Sequence, residues 1–390
     1  MAMLTIGYRP DTGEWVCNSP GGPYRFGSGW VAPAAVLPDL VFPVREQDGR
    51  VGPLVGVLVS ASSLSALLAG KKPWLETVIR SIHKAGGISV VSAAAGIGEK
   101  TVSGYLFVPT LHRFIEAAAP LPDVVYNRVK SREEEESEPF QTAAAQLSAH
   151  GVPLVNRSFF RKSDVYDALR SDRRLWPHLL PTAPVQTATD LRAWLRQYSC
   201  IYLKRDDGAR GMGLFRLTAL SETEAICEYP GGQKRFCSLD ALASLIQSGR
   251  YIAQALAETD EWNGRRYDLR VLAHWHNGRH TITGIGVRSA DVESVTTHVF
   301  HGGTILPYKE VKERIDEAAL ERLIALSGAR LGERFGFVGE FSADIGVGSE
   351  QQLYIYEINA KPMVFDEPEI EARRLERLNQ LFAELAHRTP

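Results

Sequence analysis

Cysteine is scarce in this chain and widely spaced. Cys17, Cys200, Cys227 and Cys237 form no C-x-x-C pair, which leaves neither clustered zinc ligands nor a disulfide framework and predicts reduced thiols in a cytoplasmic protein. Long hydrophobic runs are missing too. LVGVLVSA at 54–61 is strand-sized, well below the roughly 20 apolar residues of a membrane-spanning helix. The opening MAMLTIGYRPDTGEW has no basic stretch followed by an apolar one, so no secretory leader and no membrane partner are expected. Neither sign of charge dominates: 44 Lys and Arg face 46 Asp and Glu, for a formal net charge of -2. That balance gives no general reason to bind nucleic acid, and RNA-binding signatures are absent. Internal repeats and low-complexity tracts are absent as well. No G-x-S-x-G elbow, evident Cys–His pair, G-x-G-x-x-G after the strand at 54–60, or Lys-Ser/Thr after a glycine loop appears. These absences argue against a protein nucleophile, a dinucleotide site and a Walker A phosphate loop.

What is present is ordinary globular material: 390 residues, 44% hydrophobic and 23% charged, enough for two or three domains. Residues 1–45 are rich in Gly, Pro and aromatics, with a hairpin expected at Asp11-Thr12-Gly13, and read as a short β-rich appendage. From about 50, strands at 54–60, 88–93, SGYLFV (103–108), 123–129 and 152–156 alternate with helices, which predicts a mostly parallel, covered sheet. The acidic run Glu133–Glu136 reads as a solvated helix start. Beyond 157 come helices at 164–175, 189–198 and 239–248, strands including CIYLKR, GLFRL, RYDLRVLAHWH, HTITGIGVRSA and SVTTHVFHGG, a long helix at 308–333 and a last one near 369–387.

Three clusters carry chemistry. Asp344 ends one strand, and Glu357-Ile358-Asn359 lies in the next; residues i and i+2 of a strand share a face, so two carboxylates and an amide oxygen can converge. Such hard donors suit Mg²⁺ and leave positions for phosphate and water; a solvated two-stranded edge is the competing reading. Lys204 closes the strand IYL before a loop punctuated by Gly208, Gly211 and Gly213. Glycines let backbone amides approach phosphate oxygens and a strand lysine can neutralise them, whereas a plain flexible hairpin would look the same. Arg270 and Arg288 each sit in a strand-like run, where a buried guanidinium needs an anion. Asp268, two residues from Arg270, could be that anion, and so could a phosphate or a carboxylate substrate.

The order of these parts resembles the ATP-grasp superfamily, and more closely its YheC/YheD-like, endospore coat-associated group. The match is carried by PLPDVVYNRVKSR (120–132), VPLVNRSFFRK (152–162), LLPTAP (179–184), IYLKRDDGARGMGLFRL (201–217), YIAQALAE (251–258), RYDLRVLA (266–273), TGIGVRSA (283–290), HVFHGG (298–303) and YEINAKP (356–362). The resemblance implies an α/β protein with an ATP-grasp fold, two α+β subdomains clamping ATP. It divides the chain into a β-rich segment (1–45), a Rossmann-like pre-ATP-grasp domain (46–156), a lid subdomain (157–250) and a C-terminal subdomain with the metal site (251–390).

The same resemblance implies roles. Lys162 and Lys204 would be the nucleotide lysines, and the 208–213 loop would close over the phosphates. Gln254 to Glu258 would form the hinge strand beside adenine, with Glu258 or Asp260 near the ribose. Arg270 and Arg288 would hold the transferring phosphate or a substrate carboxylate, and Asp344, Glu357 and Asn359 would bind Mg²⁺, with Glu357 bridging. The chain departs from its relatives in having Lys204-Arg205 where Lys-Pro is common, Gly208-Ala209 where Gly-Ser is common, and His298 where Asn often precedes the Gly-Gly loop. The implied activity is a ligase that activates an amino acid or peptide-like carboxylate as an acyl phosphate, with ATP and Mg²⁺ as cofactors. An amine acceptor and spore-coat proteins are the implied partners. A nucleotide-binding structural protein of the spore coat and an ATP-dependent kinase on the same fold are the competing readings; the clustered acids and both lysines weigh against a mere scaffold.

Overall fold

A strand places alternate side chains on one face, and in Ala2–Arg9 that face carries the buried Ile6 and Tyr8. Followed in space by Glu14–Cys17, Gly29–Pro33, Tyr24–Phe26, Arg50–Val51 and Leu40–Gln47, this strand closes a six-stranded barrel. The barrel is filled by aromatics: the Trp15 ring lies 4.8 Å from Phe26, 4.9 Å from Tyr8 and 5.6 Å from Phe42. The expected hairpin is there, with the Gly13 amide donating to the Arg9 carbonyl at 2.8 Å. The barrel is more than an appendage, however. It runs on to Val51, and its Tyr8 and Trp15 side chains bond the backbone of Ala118, so it shares one apolar core with the sheet that follows.

The computed structural model describes residues 2–388 apart from 20, 209–211, 231, 248, 292–293 and 298–301. The chain divides into two units, one holding the residues up to Phe159, Phe337–Gly339 and the chain from Glu371 on, the other Phe160–Gly336 and Glu340–Ile370.

Besides the barrel, the first unit contains a sheet in the order Arg113–Pro120, Thr101–Val108, Ile88–Ser92, Leu54–Leu58, Val124–Asn127 and Leu154–Val155. The last four pair in parallel, as the strand–helix alternation predicts, while the first two form an antiparallel hairpin whose outer strand the sequence did not reveal. The acidic run does start a helix, with Glu133 and Glu136 exposed, but one of its members, Glu135, is buried. Arg132–Glu136 is itself a short helix, and the buried Glu135 accepts hydrogen bonds from Asn127 Nδ2 at 2.9 Å and the Phe159 amide at 2.8 Å.

The second unit holds two sheets. The first runs Thr182–Val185, Tyr251–Ala255, Cys200–Arg205, Leu214–Ala219, Glu224–Glu228 and Lys234–Ser238, antiparallel throughout. Its buried face meets the helices Ala188–Tyr198 and Leu239–Gln247 through Leu191, Leu195, Ile201, Leu217 and Leu242. A capping box between Thr187 and Asp190 starts the former helix. The second sheet runs Thr304–Leu306, Arg279–Asp291, Arg265–His276, Glu340–Val347 and Leu353–Asn359, with helix Glu317–Phe335 packed against Arg279–Asp291. That helix begins well after 308: the Asp316 carboxylate caps it by accepting the Ala319 amide at 2.8 Å, and Tyr308–Glu310 and Lys312–Arg314 are separate 3-10 turns. The helix read at 164–175 is likewise Lys162–Arg170, followed by a 3-10 stretch at Arg173–His178 that Asp172 caps. Residues 294–297, Gly302 and Gly303 form no strand, and residues 298–301, His298 and His301 included, lie outside the described residues.

Candidate functional site

The site is built on one face of the second sheet. Residues directly opposite each other in an antiparallel pair share a face. Arg270 stands opposite Asp344, which stands opposite Glu357, so three strands carry one row of charge. Asp268 lies two residues from Arg270 and opposite Arg288, while Asn359 lies two from Glu357 and opposite Ser342. The pairing slips between Asp344 and Ile345, a bulge of the kind that re-aims a side chain at the end of a regular ladder.

Two lysines reach this row. Lys162, the first residue of its helix, places Nζ 3.3 Å from Glu357 Oε1 and donates to the Gly208 carbonyl at 2.6 Å. Lys204 donates to Gln254 Oε1 at 2.6 Å, and Gln254, itself buried, donates to Thr182 Oγ1 at 3.2 Å. Burial pulls the Lys204 ammonium down to about 8; Glu357 and Asp344 oppose that shift and Lys162 adds to it. Arg205, the next residue, is exposed and pairs with Asp207 at 3.1 Å.

The glycine loop is partly visible. Gly213 has φ +68°, and a Cβ there would meet Arg205 Cγ at 2.5 Å, so both conformation and space require glycine. Gly211 lies outside the described residues. Sequence reasoning passed over Asp206, which ties this loop to Lys162. Its buried carboxylate accepts the Ser163 amide and hydroxyl, both at 2.8 Å, and its carbonyl accepts the Lys162 amide at 3.1 Å. The signal available was an acid in D-D-G, indistinguishable in one chain from a turn residue. Asp206→Ala takes the acceptor from two partly buried Ser163 donors and is expected to destabilise the protein by about 1–3 kcal/mol, read by denaturant unfolding.

Arg270 is 4% exposed, its guanidinium carbon lies 5.2 Å from the Phe365 ring, and its Nε has no hydrogen-bond partner among the described residues. Burial lowers its pKa, Asp344 opposes this, and Arg288 lowers it further. Asp268 does not serve chiefly as its counter-ion. It takes the Thr297 hydroxyl, and burial, then Asp344, push its carboxyl up to about 7. Arg288 is 3.8 Å from Asp366. Glu258 lies exposed beyond the end of Tyr251–Ala255, and no described contact draws it to the others; Asp260 is held by Arg314 at 2.5 Å.

Among the described residues, no three His, Cys, Asp or Glu side chains group to hold a metal ion. Asp344 and Glu357 with the Asn359 amide are an open set of hard oxygen donors. That fits Mg²⁺, which keeps waters and substrate phosphates in its shell, better than a metal caged wholly by protein.

Residues 151–386 match the family described as YheC/D-like ATP-grasp. The chain belongs to that family. Among curated proteins it is 26% identical over 351 residues to the endospore coat-associated protein YheD of Bacillus subtilis (strain 168), covering 84% of this chain and 77% of the relative. Among solved structures it is similar to the D-alanine-D-alanine ligase of Coxiella burnetii, with a TM-score of 0.51 and 11% identity over 86% of this chain and 96% of that one. It is also similar to D-alanyl-alanine synthetase A of Vibrio cholerae, with a TM-score of 0.49 and 11% identity over 87% and 98%. The mixed α/β architecture with its two sheets in the second unit is thus the ATP-grasp fold read from the motifs. No helix among the described residues is long and apolar enough to cross a membrane.

Proposed function

We propose that this ATP-grasp protein is a carboxylate–amine ligase that uses ATP and Mg²⁺ and releases ADP and phosphate. The observation that carries the reading is the meeting of Lys162, Lys204 and Arg270 with Asp344 and Glu357, together with the buried Nε of Arg270, which has no partner among the described residues. Three cations converging on one row suit a polyphosphate, and the two adjacent carboxylates suit the divalent ion that accompanies it.

In this reading Lys162 and Lys204 hold phosphate oxygens, and Gln254 fixes the direction of Lys204. The Gly208 loop, anchored by Asp206 and Lys162, covers the phosphates and excludes water that would hydrolyse an acyl phosphate. Arg270 stabilises the charge that spreads over the transferring phosphoryl group as a substrate carboxylate takes it. Asp344, Glu357 and Asn359 would hold Mg²⁺, which when bound supplies charge neutralisation between the phosphates. An amine then attacks the acyl carbon and phosphate leaves, so no protein nucleophile is needed. The coat association of the Bacillus relative supports the same setting for this chain.

Hydroxylamine provides the test. Incubated with ATP, Mg²⁺ and a panel of amino acids and short peptides, the protein should form ADP, and added hydroxylamine should trap the activated carboxylate as a hydroxamate. AMP and pyrophosphate as products would overturn the mechanism. A phosphorylated alcohol without hydroxamate would mark a kinase, and nucleotide binding without any turnover a structural protein.

A further inference from the structure

The segment after Asn359 returns across the sheet face that carries the arginines. Phe365 is buried beside the Arg270 guanidinium. Asp366, 45% exposed, brings Oδ2 within 3.8 Å of Arg288 Nη2. Glu367 lies over Gly286, where a Cβ would come 2.6 Å from its Oε1. Gly286 stands opposite Arg270 and two residues from Arg288, so the Glu367 carboxylate rests beside both cations. Burial raises the pKa of that carboxyl more than Arg288 lowers it.

Neither simple ion suits this patch. A lone carboxylate approaching Arg288 meets Asp366 and Glu367; a lone ammonium approaching those acids meets Arg270 and Arg288. A small molecule with both charges a few ångströms apart complements all four. The acids alone do not satisfy the cluster either, since Arg270 Nε remains buried without a partner among the described residues, which points to a ligand. We propose that Asp366 and Glu367 form the ammonium end, and Arg288 the carboxylate end, of an acceptor subsite for a free α-amino acid. This rests on the ligase reading and names the amine that it leaves open. Gly286 is then a specificity residue, small because the Glu367 carboxylate occupies the space a side chain would take.

Calorimetric titration of the protein saturated with AMPPNP and Mg²⁺ tests the proposal. The probes are the common L- and D-amino acids, each beside its N-acetyl and carboxamide forms. At least one free amino acid should bind, with its blocked forms weaker by about tenfold or more. Asp366→Asn and Glu367→Gln should each weaken it about 10–100-fold while AMPPNP binds as before. Gly286→Ala should do the same without removing a charge, by displacing the Glu367 carboxylate. Blocked forms that bind as well as free ones, no binding across the panel, or variants that bind like the wild type would each overturn the proposal. Failure of the wild type to bind AMPPNP would instead overturn the ligase reading beneath it.

Discussion

Glu357→Gln is expected to leave a folded protein whose ATP consumption, with the substrate found by hydroxylamine trapping, falls by about 10²–10³. The substitution keeps the shape of the side chain and removes only its charge. Glu357 stands in register with Asp344 and within 3.3 Å of Lys162 Nζ, so that charge acts on the proposed metal position and on the proposed nucleotide lysine together. The side chain is 22% exposed, and its neutral amide can still be solvated, which is why stability should change little. ATP turnover and a denaturant midpoint on the same preparation separate the two effects. Near-normal turnover in the folded variant would remove Glu357 from the site and, with it, the Mg²⁺ assignment.

The row that contains Glu357 was legible in the sequence because it depends on strand parity. The i, i+2 spacing of Glu357 and Asn359 holds for any strand, and only the pairing with Asp344 had to be guessed. Lys204 was legible for the same reason. Contacts that reach across the chain left no such trace. Nothing local to Phe365 or Glu367 announces Arg270 or Gly286, and Asp206 looks like a turn acid until Ser163 is placed against it. Asp268 was weighed as the partner of Arg270 on spacing alone, whereas the fold sets it opposite Arg288 and gives it the Thr297 hydroxyl. The barrel was harder still. Its strands, such as the three-residue Tyr24–Phe26, are too short to show a period, and closure is decided by aromatic packing among Trp15, Phe26 and Phe42. Where the helix read at 308–333 starts late, a local rule did apply: Asp316 is a good N-cap, and the helix begins just after it.

Lys204→Ala is expected to weaken AMPPNP binding about 10–100-fold, the cost of losing a charge-assisted contact to phosphate, while Arg205→Ala changes it little. Neighbouring strand residues face opposite ways: Lys204 turns to Gln254 and feels Glu357 and Asp344, whereas Arg205 is exposed and paired with Asp207. A larger effect at Arg205 would mean that the opposite face of the strand meets the nucleotide. The lowered Lys204 pKa adds a pH dependence of known sign. Phosphate favours the charged ammonium, and the free protein loses that charge as pH rises through about 8, so affinity should be flat below about pH 7 and fall above 8. The nucleotide-free protein should respond in the other direction. Between about 8 and the ordinary lysine value of 10.5 the unfolded chain holds a proton there that the folded chain has released, so this group makes stability rise with pH across that window. Lys204→Arg retains its charge throughout and should abolish both trends. A wild-type affinity independent of pH between 7 and 10, measured by titration with AMPPNP, would show that Lys204 does not meet the phosphates.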